Sequence, residues 1–155
     1  MKTLVVYYSR TGNTRKVAES IAQILGSDIE EVLDERKRTG VLGWLRSGMD
    51  AGLKKLTTIE KIKKDPNLYD VVIIGTPVWN NTMSTPIRTY ILQYKENFKE
   101  VAFFCTQDGY ENAALKDMEV LCRKRPIATL KLRRKELKNE EYFEKIKEFA
   151  SKIKR

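Results

Sequence analysis

Six residues near the start of the chain, Ser9-Arg10-Thr11-Gly12-Asn13-Thr14, set three hydroxyls, one carboxamide and one guanidinium around a single glycine. All of these side chains can donate hydrogen bonds, so the chemistry on offer is anion binding. A helix starting here adds to it. Its first turn leaves N–H groups without intrahelical acceptors and carries the positive end of the helix dipole. Gly12 lets the backbone turn tightly around the anion. The flanking residues supply that setting. Leu4 to Tyr8 is a short apolar run of β-branched and aromatic residues, which predicts a strand buried on both faces. From Thr14 the period changes: Val17, Ala18, Ile21, Ala22 and Leu25 fall on one helical face, and Gly26 marks its end. The loop is not a Walker loop, because no Gly-Lys-Ser/Thr follows. Nor is it a dinucleotide fingerprint, because the second and third glycines are missing.

Two more polar loops follow predicted strands. Tyr69 to Gly75 is a continuous apolar strand, and Thr76-Pro77-Val78-Trp79-Asn80-Asn81-Thr82-Met83-Ser84 comes after it. Val101 to Cys105 is another, followed by Thr106-Gln107-Asp108-Gly109-Tyr110-Glu111-Asn112. Each loop carries one large aromatic residue, Trp79 and Tyr110, suited to flank a planar ring. The chain has no histidine, which removes the commonest general base and the commonest metal ligand. Chemistry must come from another group, and a bound cofactor is the natural candidate.

The elements that position these loops alternate. Asp28 to Val32 reads as a weak edge strand. In Arg36 to Lys64, Leu42, Leu45, Met49, Leu53 and Leu56 recur at helical spacing, with Trp44 sharing its side with Gly48, Ala51 and Gly52. Such a basic amphipathic helix can dock on a membrane or an acidic partner, but packing of the stripe on the chain's own sheet is the expectation. Thr85 reads as the N-cap of a helix with Pro86 at its first position. Ala114 to Cys122 forms another helix, Ile127 to Leu132 a fifth strand, and Asn139 caps a last helix. Five β-α units predict a doubly wound parallel α/β sheet in three α/β/α layers, with ligands at the carboxyl ends of the strands.

These motifs together resemble the flavodoxin family. Ser9 to Thr14 is similar to its phosphate loop, Gly75-Thr-Pro-Val-Trp79 to the loop bearing its ring-stacking tryptophan, and Cys105-Thr-Gln-Asp-Gly-Tyr110-Glu111 to the loop bearing its second aromatic. No long insertion interrupts the fifth strand, as in short-chain flavodoxins. The resemblance implies a five-stranded sheet in the order 2-1-3-4-5, residues 1–155 as one domain, and FMN as cofactor. It implies contacts to FMN from Ser9, Arg10, Thr11, Gly12, Asn13 and Thr14 on the phosphate side. On the ring side it implies Pro77, Val78, Trp79, Asn80, Thr106, Gln107, Asp108, Gly109 and Tyr110. Two departures stand out: familiar flavodoxins are acidic, and glycine is common where Asn80 stands. A response-regulator receiver shares the architecture, but its acidic residues are absent at Tyr8-Ser9 and Thr76-Pro77.

The implied function is electron transfer between redox partner proteins through non-covalent FMN. The alternative is an FMN-dependent NAD(P)H:quinone or related oxidoreductase, since one fold hosts both. The net charge of +9 over 155 residues points to acidic partners, with Arg10 and Arg15 flanking the phosphate loop. The basic residues are spread along the chain, so a nucleic-acid groove is not expected. Cys105 and Cys122 sit in apolar contexts and read as reduced core residues. No apolar stretch is long enough to span a bilayer, and a cytoplasmic monomer, with a dimer left open, is the expectation.

Overall fold

The structure is a computed structural model that describes residues 1–36, 40–53, 55–109 and 111–155. Its elements run β1 (Thr3–Tyr7), α1 (Asn13–Leu25), β2 (Asp28–Glu31), α2 (Gly40–Gly52), β3 (Val71–Trp79), β4 (Thr82–Met83), α3 (Thr85–Tyr94), β5 (Glu100–Gln107), α4 (Ala114–Cys122), β6 (Thr129–Arg133) and α5 (Glu141–Lys154). The parallel strands follow the order β2-β1-β3-β5-β6, which is the expected 2-1-3-4-5 order of the five long strands. The sixth strand was not anticipated. β4 pairs antiparallel with the end of β3, Val78 opposite Met83 and Trp79 opposite Thr82.

The central strands are apolar throughout because both of their faces are covered. Val5, Tyr7, Ile73, Phe104 and Leu132 face one core with Val17 and Ile21 of α1 and Ile146 and Phe149 of α5. Leu4, Val6, Val72, Ile74 and Phe103 face the other, with Ile87, Tyr90 and Ile91 of α3 and Leu115 and Met118 of α4. Gly75 is dictated by this packing, since a Cβ there would lie 1.9 Å from the Phe104 ring. Gly26 ends α1 in the left-handed region, as expected, with its N–H donating to the Ala22 carbonyl. Two helix starts differ from expectation. Ser84, not Thr85, is the N-cap of α3. Asn139 closes a 3-10 turn, and α5 begins two residues later.

The largest departure concerns α2. Its leucine and methionine stripe does not pack on the sheet: Leu42 is 83% exposed and Met49 57%. The helix buries the opposite side, Gly43, Ser47, Asp50 and Ala51. Small side chains let the helix axis approach the β3–β4 hairpin closely. At Gly52 an added Cβ would sit 2.1 Å from the Asn80 Nδ2.

Candidate functional site

The carboxyl ends of the parallel strands β1, β3 and β5 meet at one edge of the sheet, and between β1 and β3 the order in which strands are added reverses. There the loops and α2 enclose a cavity of about 580 Å³. That volume lies within the range of small-molecule sites.

The first wall is the β1–α1 loop. Gly12 takes φ 101° at the N-cap of α1, a conformation glycine reaches without strain. Its N–H donates to Ser9 Oγ at 3.1 Å, which folds the loop on itself and leaves the Ser9 proton for an anion. A Cβ at Gly12 would meet nothing within 4 Å, so the space in front of this turn is open. Thr14 is buried, and its hydroxyl shares a 2.8 Å hydrogen bond with that of Thr106 from β5. If Thr106 donates, the Thr14 proton stays available to an anion at the helix start. The two loops are thereby fixed to each other. Arg10, Thr11, Asn13 and Thr14 line the cavity, whereas Ser9 and Gly12 shape the loop behind it. Arg15 follows the loop but does not line the cavity, and its guanidinium pairs with Glu31 at 2.6 Å.

The second wall is the end of β3. Pro77, Val78, Trp79 and Asn80 all line the cavity. Trp79 is only 6% exposed. It meets Tyr8 in a T-shaped contact, centroids 5.3 Å apart, and the Arg10 guanidinium lies over its ring at 5.9 Å. Asn80 and Asn81 both have positive φ, 44° and 70°, and form the two-residue turn between β3 and β4. Both central residues at positive φ define the type I′ hairpin turn, and asparagine is the side-chain-bearing residue that best tolerates it. The turn is held from behind. The Asn81 carbonyl accepts from Ala113 N–H at 2.9 Å. The Thr82 hydroxyl donates to Asp117 at 2.5 Å and accepts from Arg88 at 3.1 Å. Burial lowers the Arg88 pKa, with nearby Asp117 opposing the shift.

The third wall is the loop after β5. Thr106, Gln107, Asp108 and Gly109 line the cavity, together with Glu111 and Asn112. The Asn112 amide donates to Gln107, and its carbonyl oxygen accepts from the Ala114 N–H at 3.0 Å, which ties the loop to the start of α4. Tyr110, the expected second aromatic, lies outside the described residues.

The fourth wall was missed in the sequence. Trp44, Leu45, Ser47, Gly48 and Met49 of α2 close the cavity opposite the loops, and Arg134 and Asn81 join its rim. A signal existed in the placement of Trp44 beside Gly48, since a large aromatic next to a gap in the helix surface is a lining pattern. Arg134 left none, because nothing local marks which surface arginine reaches a distant loop. Among the described residues no cluster of acidic or cysteine side chains could hold a metal. Burial pushes both thiols, Cys105 and Cys122, up to about 12, so neither is a nucleophile at neutral pH.

A helix-start anion cradle joined to a slot with an aromatic wall suits a phosphorylated planar ligand. A family model for flavodoxin matches residues 2–151. The chain belongs to the flavodoxin family. It is similar to a flavoprotein of Lactobacillus acidophilus NCFM solved in complex with FMN, with 30% identity, 88% of this chain and 96% of that one covered, and a TM-score of 0.73. Flavodoxin 2 of Bacillus cereus shares the fold at 22% identity, with 98% and 97% of the chains covered and a TM-score of 0.59. Flavodoxin 1 of the same organism does so at 16% identity, with 98% and 96% covered and a TM-score of 0.59. No curated protein matches the chain.

Proposed function

We propose that this flavodoxin-family chain binds FMN in the cavity at the ends of β1, β3 and β5, and that it carries electrons between redox partner proteins. The observation that carries the reading is the cradle at the start of α1. A left-handed Gly12, held by its N–H to Ser9 Oγ, starts the helix, and the donors Arg10, Thr11, Asn13 and Thr14 at that helix start line the same cavity as Trp79. Those residues hold a phosphate, and Pro77 to Asn80 with Thr106 to Gly109 flank a ring. FMN, when bound, supplies reversible electron transfer that no side chain here provides. The protein's part is to bind and orient that group and to keep water from one side of it. On this reading residues 1–155 act as one FMN-binding unit, a cytoplasmic monomer, and the net charge of +9 favours acidic redox partners.

A fluorescence titration with FMN and with riboflavin tests the assignment. FMN should bind about a hundredfold more tightly or better, because each hydrogen bond to a charged phosphate is worth about 1.5–3 kcal/mol. Comparable affinity for riboflavin would remove the phosphate role from the 9–14 loop. One observation favours the second reading, an FMN-dependent NAD(P)H oxidoreductase: the apolar α2 wall of Trp44, Leu45 and Met49 offers surface for a second flat ring. Anaerobic mixing of the loaded protein with NADPH separates the two. Loss of flavin colour on a catalytic timescale identifies the enzyme, and persistence of the colour identifies the carrier.

A further inference from the structure

Helix α2 has three sides. One, formed by Gly43, Ser47, Asp50 and Ala51, is buried on the body of the protein. A second, with Trp44 and Gly48, faces the cavity. The third presents Val41, Leu42, Leu45, Met49 and Leu53 to solvent, and Leu56 continues it. Four of these large apolar side chains lie on one short helix and Leu53 directly follows it, so together they form an exposed patch, which isolated surface leucines elsewhere do not. Exposed cations accompany it: Arg46 lies on the helix and Lys55 follows it, while Lys37, Arg38 and Lys54 flank the helix in sequence and Arg36 pairs with Asp50 on the buried side.

We infer that this outward face of α2 seats the protein on an anionic membrane surface. An apolar ridge bordered by lysine and arginine is the chemistry of a helix that lies in the headgroup plane: leucines enter the acyl boundary while cations stay among the phosphates. The helix lies on the bilayer rather than crossing it, since no described helix is long and apolar enough to span one. Two other occupants fit less well. A second copy would meet this face in a self-complementary way and bring Arg46 and Lys55 of both copies together on chains of charge +9. A protein partner would want directional contacts, roughly one hydrogen bond per 100–200 Å². Between Val41 and Leu53 the outward side offers only Arg46, with the Trp44 indole at its edge. A lipid surface requires none. The seat also sets the cavity mouth beside the headgroups, because Leu45 and Met49 belong both to the ridge and to the cavity wall.

Co-sedimentation of the full chain with vesicles tests the inference without using FMN, so its outcome is separate from that of the flavin reading. The probes are phosphatidylcholine vesicles and the same vesicles carrying about 30% phosphatidylglycerol. The expected result is at least tenfold stronger partition onto the anionic vesicles, weakening as salt rises. The double variant Leu42→Glu/Leu53→Glu should lose at least tenfold of that partition. Neither residue lines the cavity, so its FMN titration should match the parent, which shows that it is folded. Arg46→Gln/Lys55→Gln should lower the preference for phosphatidylglycerol. Any of four results overturns the inference: no partition onto anionic vesicles; equal partition by the Leu42→Glu/Leu53→Glu variant; a dimer in sedimentation velocity that this variant dissolves while vesicles are ignored; or binding through this face to an acidic protein such as a ferredoxin but not to vesicles.

Discussion

Helices α1 and α2 are each 13 residues long, each amphipathic and each next to the same cavity, yet they are mounted in opposite senses. α1 turns Val17, Ala18 and Ile21 into the core and leaves Arg15, Lys16 and Glu19 outside. α2 turns Gly43, Ser47 and Ala51 inward and leaves Val41, Leu42, Leu45 and Met49 outside. The reason lies in what each meets. α1 crosses the open face of β1 and β3, where volume must be filled. α2 packs against the β3–β4 hairpin with the small residues Gly43, Ser47 and Ala51 buried, and a Cβ on Gly52 would meet the end of the Asn80 side chain. Helical periodicity shows that two faces exist. The space available beneath decides which of them is buried.

Stability measurements should show the contrast most strongly. Ile21→Ala in α1 should cost about 2–5 kcal/mol in urea unfolding, the range for truncating a buried branched side chain. Leu42→Ala in α2, the same loss of apolar volume, should fall within about 0.5 kcal/mol of the parent. Equal costs would mean that the exposed stripe of α2 packs in solution. A smaller effect is expected on ligand binding. Trp44→Ala should weaken FMN binding by about 0.5–1.5 kcal/mol, the worth of one aromatic contact, and leave the unfolding midpoint unchanged. A midpoint shift with unaltered binding would instead make Trp44 a structural residue. The smallest effect should come from the hairpin under α2. Asn-Gly is the preferred type I′ pair, so Asn81→Gly should stabilise the fold by a few tenths of a kcal/mol. A loss of stability would show that the Asn81 side chain holds the turn by contacts beyond its backbone.

The sequence made the sheet legible because its central strands are apolar on both sides and bounded by turn residues. It made the first loop legible because an anion cradle needs particular donors in contiguous order. The hairpin was harder. Asn80-Asn81 reads as part of a polar loop unless Val78 and Met83 are recognised as paired across it, and only two residue pairs form that ladder. α2 was misread because its direction depends on the hairpin. Arg15 flanks the phosphate loop and was read as adding to the charge available to acidic partners, whereas Glu31 on the strand beside β1 pairs with it. Each of these misreadings involves a partner distant in sequence, which local periodicity cannot report.

Arg10 gives the cavity a property of a different kind. With its guanidinium over Trp79, the indole is already partnered before any ligand arrives. A contact of that sort is worth about 0.5–1 kcal/mol at an exposed site. A flat ring that takes the place of the guanidinium over the tryptophan exchanges one partner for another, and the net gain is the difference between them. A ring that brings an anionic group gives the displaced arginine somewhere to go, whereas a neutral ring leaves it in water. The exchange therefore discriminates between ligands at a wall that makes no direct contact with the phosphate.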